Sequence, residues 1–175
     1  MGDAVHDLSP TNLMRGVLYE YNRATGIYRC PGDQNTVASH PGVPRTRTYQ
    51  LNIGLNGSWN GERMPPVKRY QKLKRSELIN PTGTFTFIDS HPATADGAAF
   101  GVLAAIWGGG MDAWSSLPGE QHNRGCNLAF ADGHVQQWHW RSSRKVTYPA
   151  PDITPIANAD DRRDWKLVAD ATLTP

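Results

Sequence analysis

The sequence lacks any run of about twenty apolar residues, which is the length that a membrane-spanning helix requires. It also lacks a signal peptide, and Met1-Gly2 followed by polar residues is typical of an expression-derived start. Its net charge is only +2, from 18 basic and 16 acidic residues, and the densest basic cluster, residues 68–75, has the pattern of a solvated face. We therefore expect no membrane span within these residues and no nucleic-acid partner.

Motifs of nucleophilic and phosphate chemistry are absent as well. There is no G-x-S-x-G, and Gly110 is not followed by the Lys-Ser/Thr of a phosphate-binding loop. The two cysteines, Cys30 and Cys126, match no metal-binding spacing. In an exported protein they could form one disulfide, and in a cytosolic one they would be two buried thiols. These absences predict that the protein is not an enzyme.

The composition favours short strands and long loops. A length of 175 residues suits one domain, and 17 Gly and 13 Pro with 38% hydrophobic residues argue against a helical bundle. We predict a single domain over residues 1–175, with residues 1–9 as a linker or expression-derived segment. The predicted fold class is α+β, with an N-terminal helix packed on an antiparallel β-sheet.

Four segments carry periodic apolar patterns. Ser9-Pro10 predicts a helix start, followed by an apolar stripe at helical spacing: Leu13, Met14, Val17, Leu18 and Tyr21. Alternation over residues 49–55 predicts a strand that buries Tyr49, Leu51, Ile53 and Leu55, and residues 84–89 predict a central strand. Residues 98–107 predict a further strand or buried segment, and residues 160–173 a short docked helix with Trp165, Leu167 and Val168 at its contact.

The most informative stretch, residues 122–140, predicts a β-hairpin. Asp132-Gly133 is the pair that a two-residue type I′ turn requires, because both central residues have positive φ. This turn would pair Phe130 with Val135. It would place Leu128, Phe130 and Val135 on one face of the hairpin, and Asn127, Ala129, His134, Gln136 and Trp138 on the other.

The same stretch carries a family resemblance. His122 and Asp132 are separated by nine residues and Gly133 follows, which is an H-x9-DG signature. Residues 28–33 (YRCPGD) resemble a Y-R-C-P-x-D turn, residues 47–52 (RTYQLN) an S-Y-x-x-N strand, and residues 87–92 (FIDSHP) an F-x-D-x-H-P strand end. Together with the closing segment 164–175, they resemble the prepilin-type, processing-associated H-x9-DG proteins of planctomycetes and verrucomicrobia, which are similar to type II secretion pseudopilins.

The resemblance implies a pilin-like architecture and a non-enzymatic structural role. The chain would be the soluble head of a protein that the inner membrane anchors through a leader and a hydrophobic helix not included here. It would lie in the cell envelope, periplasmic or extracellular, and assemble into a filament with itself or with other pilin-like subunits. Secreted cargo or polysaccharide would be further partners. Such a location makes a Cys30–Cys126 disulfide plausible.

Two other hypotheses rest on the residues themselves. A metal site for zinc or calcium could form where five candidate ligands converge at strand ends: Asp89, His91, His122, Asp132 and His134. The alternative is that His122 and His134 donate hydrogen bonds to backbone carbonyls or to Asp89. Of the two, we expect His122, Asp132 and His134 to contact only each other, and we predict no cofactor.

The second hypothesis concerns the six tryptophans, a high count for this length. Those in loops or at strand edges, Trp59 and Trp114 above all, could stack on sugar rings of an envelope polymer. The alternative is that at least half of them, Trp138 and Trp140 among them, belong to the core.

Overall fold

The structure is a computed structural model that describes residues 4–55, 74–95, 97–103, 110–144, 146, 150 and 152–172. Its helices are α1 (Thr11–Met14), α2 (Tyr19–Asn22) and α3 (Ala159–Thr172), with short 3-10 turns at Thr25–Tyr28 and Arg75–Glu77. Its strands are β1 (Tyr49–Asn52), β2 (Phe85–Asp89), β3 (Ala99–Phe100), β4 (Val102–Leu103), β5 (Ala113–Trp114), β6 (Gly125–Phe130), β7 (Val135–His139) and β8 (Thr154–Pro155).

The five-stranded main sheet has the order β3-β1-β2-β6-β7. All neighbours are antiparallel except β1 and β3, which are parallel, so the sheet is mixed and the prediction of a purely antiparallel sheet is wrong in this detail. β2 occupies the centre, as its β-branched and aromatic residues predict. A second, antiparallel sheet has the order β4-β5-β8.

The helix that covers the main sheet is the C-terminal one. Asn158 caps α3 by accepting a hydrogen bond from the Asp161 N–H at 2.9 Å. Trp165 and Val168 of α3 pack into the core with residues from both sheets, including Ile88 and Leu128 of the main sheet and Trp114 of the second sheet. The prediction of a docked helix is confirmed, although Leu167 is exposed rather than in its contact.

The predicted N-terminal helix does not form as one element. It breaks between α1 and α2 at residues 15–18, and its predicted apolar stripe faces solvent, with Tyr21 87% exposed. The core face of the sheet, on which this helix was predicted to pack, is covered by α3. Within the described residues, no helix is both long and apolar enough to cross a bilayer.

β1 buries the opposite face from the one predicted. Gln50 and Asn52 are fully buried, whereas Tyr49 and Leu51 are half-buried. Asn52 Nδ2 donates to the carbonyls of Phe85 and Thr172, each at 2.8 Å, and so joins the sheet to the end of α3. Amide side chains can occupy this core because backbone groups satisfy their hydrogen bonds.

The hairpin forms, with a register one residue from the predicted one. Ala129 pairs with Val135, and the loop is the three residues 131–133, in which only Gly133 has positive φ (101°). The Gly133 N–H donates to Phe130 O at 3.0 Å, which is typical of a type I turn followed by a bulge. As a result Val135 faces solvent and His134 stacks on Phe130, with ring centroids 4.3 Å apart.

Candidate functional site

Three segments that are distant in sequence bring a thiol, a carboxylate and an imidazole together. Cys30 lies in the loop before β1, Asp89 ends β2, and His122 lies in the turn before β6. His122 Nε2 is 3.2 Å from Cys30 Sγ and 3.0 Å from Asp89 Oδ2. All three ligand-type atoms lie within 4.8 Å of one another. This Cys30–Asp89–His122 cluster is on the face of the sheet opposite α3, because Asp89 alternates with the core residue Ile88.

A tight turn and a strand hold Cys30 in place. The Asp33 N–H donates to Cys30 O at 3.0 Å, and the Cys30 N–H donates to Thr48 Oγ1 at 2.6 Å. Burial raises the pKa of the Cys30 thiol, and the neighbouring Gly32 N–H, Tyr49 hydroxyl and Asp33 N–H oppose that shift.

Asp89 is a buried carboxyl group that is only half satisfied. Its Oδ2 contacts His122 and accepts from the Asn127 N–H at 3.5 Å. Its Oδ1 has no hydrogen-bond partner among the described residues. Burial raises the pKa of Asp89, while the Asn127 N–H and His122 lower it. A buried carboxylate with a free oxygen is costly unless a cation or a proton compensates it.

His122 forms the open side of the cluster. The backbone N–H of His122 donates to Gly125 O at 3.1 Å. This bond closes a turn in which Asn123 and Arg124 both have positive φ. The His122 carbonyl accepts a hydrogen bond from Gln137 Nε2 at 3.3 Å. The side chain is 27% exposed, whereas that of Asp89 is fully buried. Solvent therefore reaches the cluster past the imidazole ring.

The arrangement differs from a nucleophile–histidine–carboxylate relay. In a relay the carboxylate orients the ring through one nitrogen and the nucleophile uses the other. Here Cys30 and Asp89 both contact Nε2. Three different donor atoms around one point are instead the pattern of a cation site.

The structure does not bring the other candidate ligands of the hypothesised metal site to this cluster. His91 Nδ1 accepts from the Ala93 N–H at 3.1 Å, and burial lowers the pKa of His91. Asp132 Oδ1 accepts from the His134 N–H at 3.1 Å and contacts His134 Nδ1 at 2.7 Å, at the exposed tip of the hairpin. The His134 N–H is the main reason that the pKa of Asp132 is lowered. Asp132 and His134 thus contact each other as predicted, whereas His122 joins Asp89 and Cys30.

The expected Cys30–Cys126 disulfide is not formed, since both cysteines are free and buried. Cys126 belongs to the α3-side core and pairs across the hairpin with Trp138. Cys30 lies with Asp89 on the other face of the sheet. The sheet therefore separates the two thiols.

The tryptophans give little support to a sugar-binding surface. Trp114 is 1% exposed, and its Nε1 donates to Asp161 Oδ1 at 3.1 Å, so the prediction that it binds a ligand is wrong. Trp140 is also buried, and its Nε1 donates to Gly119 O at 2.7 Å. Trp59 lies outside the described residues. Trp114 and Trp140 serve the core, as expected for at least half of the tryptophans.

The sequence contained a signal for the residue that the predicted metal site omitted. Cys30 stands directly before Pro-Gly-Asp, which favours a tight turn, and the Asp33 N–H donates to Cys30 O at 3.0 Å. A cysteine followed by a tight turn is therefore a better candidate ligand than its distance from Cys126 suggested. Comparison with protein-family models, with curated proteins and with solved structures finds no match for this chain.

Proposed function

We propose that this chain is the head domain of a pseudopilin-like or pilin-like subunit, a non-enzymatic structural component that assembles in the cell envelope. The observation that carries the proposal is spatial. Segments that resemble successive motifs of the H-x9-DG proteins lie far apart in sequence and contact one another in the fold.

The contacts join the motif segments in pairs. Thr48, in segment 47–52, contacts the two segments 28–33 and 87–92. Its hydroxyl accepts from the Cys30 N–H, and its carbonyl accepts from the Ser90 N–H at 3.1 Å. Tyr49 pairs with Asp89 across β1 and β2. His122, the first residue of the H-x9-DG signature, then contacts Asp89. A chance set of short matches would have no reason to meet at one place.

The second half of the signature has a separate structural role. Asp132-Gly133 forms the hairpin turn that ends β6, and Gly133 takes the positive φ that this turn requires. The nine residues between His122 and Asp132 therefore comprise β6 together with the turn residues that flank it. In this proposal the signature is a folding device that sets the hairpin against β2.

The N-terminal region agrees with a role in assembly. Met14, Val17, Leu18 and Tyr21 are exposed together, and such apolar surface is typical of regions that contact other proteins. In the proposed protein, a leader and a hydrophobic helix would precede this region. Neighbouring pilin-like subunits would then cover the exposed side chains.

Fractionation of the organism that encodes the chain tests the proposal. The complete gene product, tagged at its C terminus, should be found in the envelope and in sheared surface material, at a mass that shows removal of a leader. The same gene cut to begin at Met1 of this chain is the control and should stay in the cytoplasm. Recovery of the unprocessed complete product from the cytoplasm would overturn the proposal.

A further inference from the structure

We propose that the Cys30–Asp89–His122 cluster binds one Zn²⁺ ion, with a water molecule as fourth ligand. The site is independent of the proposed role in assembly. It would bind the ion through one sulfur, one oxygen and one nitrogen, each from a different segment of the chain.

The spacing of the three atoms suits such an ion. Zinc bonds of about 2.0–2.3 Å in a tetrahedron place neighbouring ligand atoms about 3.3–3.8 Å apart. The distances from His122 Nε2 to Cys30 Sγ and to Asp89 Oδ2 are 3.2 and 3.0 Å. Since all three atoms lie within 4.8 Å of one another, small side-chain shifts would bring them to the distances of a zinc site.

Independent support comes from the polar atoms that the fold leaves unpaired. Asp89 is fully buried, and its Oδ1 has no hydrogen-bond partner among the described residues. Asp33 is buried as well, and its Oδ2 is equally unpartnered within that part of the chain. A fully buried carboxylate with an unused oxygen, as in Asp89, favours a cation beside it.

The surroundings of the sulfur fit a thiolate ligand. The Cys30 N–H donates to Thr48 Oγ1 at 2.6 Å, and Cys30 O accepts from the Asp33 N–H at 3.0 Å. Such outer contacts hold a metal ligand in orientation. The ion itself would remove the remaining cost of a buried thiolate.

The donor set selects the class of ion. Calcium and magnesium take oxygen ligands, so a thiol and an imidazole exclude them as preferred occupants. Sulfur and nitrogen ligands with one carboxylate suit Zn²⁺ and its spectroscopic substitute Co²⁺. Because His122 is partly exposed, water can complete the coordination on that side.

Cobalt titration of the chelator-treated protein tests the site. We expect one Co²⁺ per chain, a thiolate-to-cobalt charge-transfer band, visible bands of tetrahedral cobalt, and loss of all of them on addition of Zn²⁺. Cys30→Ser should abolish the charge-transfer band, because Cys30 supplies the sulfur ligand of the cluster. Cys126→Ala and His134→Gln alter a thiol and a histidine outside the cluster, and both should leave the spectrum unchanged.

If Cys30→Ser does not fold, thiol alkylation of the wild-type protein tests the site without a variant. Zn²⁺ should protect one of the two thiols of the wild-type protein from alkylation, and peptide mapping should identify it as Cys30. Three outcomes would overturn the site: a folded protein that binds no stoichiometric cobalt, a charge-transfer band that persists in folded Cys30→Ser, or protection of Cys126 instead of Cys30.

Discussion

Arg144 and Asp161 form a buried ion pair, with Arg144 Nη2 2.8 Å from Asp161 Oδ1. The guanidinium also contacts Asp164 at 3.3 Å and lies 4.4 Å from the centroid of the Trp114 ring. Since Asp161 and Asp164 both belong to α3, this arginine fastens the covering helix to the segment that follows β7. We expect this ion pair to stabilise the fold, and its contribution to the free energy of unfolding can be measured.

Replacing Arg144 with methionine should lower the free energy of unfolding by about 3–5 kcal/mol, because two buried carboxylates lose their cation. Urea denaturation of the two proteins measures the difference. Arg162→Met is the matched control: Arg162 Nη1 lies 3.1 Å from Asp112 Oδ2, but that arginine is exposed. Loss of this surface pair should cost no more than about 1 kcal/mol. Equal effects of the two substitutions would contradict the structure.

The hairpin register predicts unequal roles for two apolar residues that the two-residue turn would place on the same face. Leu128 is fully buried, so Leu128→Ala should reduce stability by about 2–5 kcal/mol. Val135 is 68% exposed, so Val135→Ala should change stability by no more than about 0.5 kcal/mol. Thermal or urea unfolding measures both. A large loss in Val135→Ala would favour the two-residue turn instead.

Gly133 tests the turn itself. An alanine there would meet no neighbouring atom within 4 Å, but it would have to adopt a φ of 101°. Gly133→Ala should therefore destabilise the protein by about 1–3 kcal/mol through backbone strain alone. Gly26 is equally open and has no positive φ, so Gly26→Ala should be neutral or stabilise by up to about 1 kcal/mol. The denaturation midpoint of Gly133→Ala should therefore lie below that of Gly26→Ala.

His91 predicts a pH dependence of stability. Burial lowers its pKa, so as the pH falls below about 6.5 the unfolded chain takes up this proton before the folded protein does. The contribution of His91 to the free energy of unfolding is therefore fully present above that pH. It is lost progressively as the pH falls to the folded-state pKa. His91→Asn replaces the ring by a side chain that does not titrate and whose oxygen can accept the Ala93 N–H. Unfolding free energies measured between about pH 7.5 and pH 5 should converge as the pH falls; parallel curves would refute this role for His91.

The two cysteines predict a simple chemical result. Protein denatured without reductant should react with two equivalents of a thiol reagent, because both cysteines are free. In the native protein both should react more slowly than in the denatured chain, since both are buried and burial raises the pKa of each thiol. Detection of no free thiol in the denatured, unreduced chain would show the disulfide that the location of the H-x9-DG family suggested.

Local patterns predicted the elements that depend on local chemistry. The central strand followed from the β-branched and aromatic residues of 84–89, the hairpin from Asp132-Gly133, and α3 from its acidic start and apolar cluster. Each is encoded within about a dozen residues, where turn chemistry and side-chain periodicity act directly. The register of the hairpin was missed because Asp-Gly serves a three-residue bulged turn as well as a two-residue one.

The face that each element buries could not be read from periodicity. The stripe from Leu13 to Tyr21 has the pattern of a packed helix, yet α3 covers the sheet instead. In β1 the alternating apolar residues predicted one buried face, but Gln50 and Asn52 occupy the core because distant carbonyls satisfy their amides. The tertiary fold places these hydrogen-bond acceptors next to the amides, and the sequence of the strand alone does not predict them.

The candidate site shows the same division. By itself, the sequence determined which groups were available: a cysteine before a tight turn, an aspartate at a strand end, and a histidine that begins the H-x9-DG spacing. Only the tertiary structure decided that Cys30, Asp89 and His122 meet, that His91 and the Asp132–His134 pair stay apart, and that the sheet separates the two thiols. The physical reason is that the antiparallel pairing of β2 with β1 and β6 brings the segments before β1 and β6, which contain Cys30 and His122, to the end of β2 at Asp89. This relation exists only once the strands are in register.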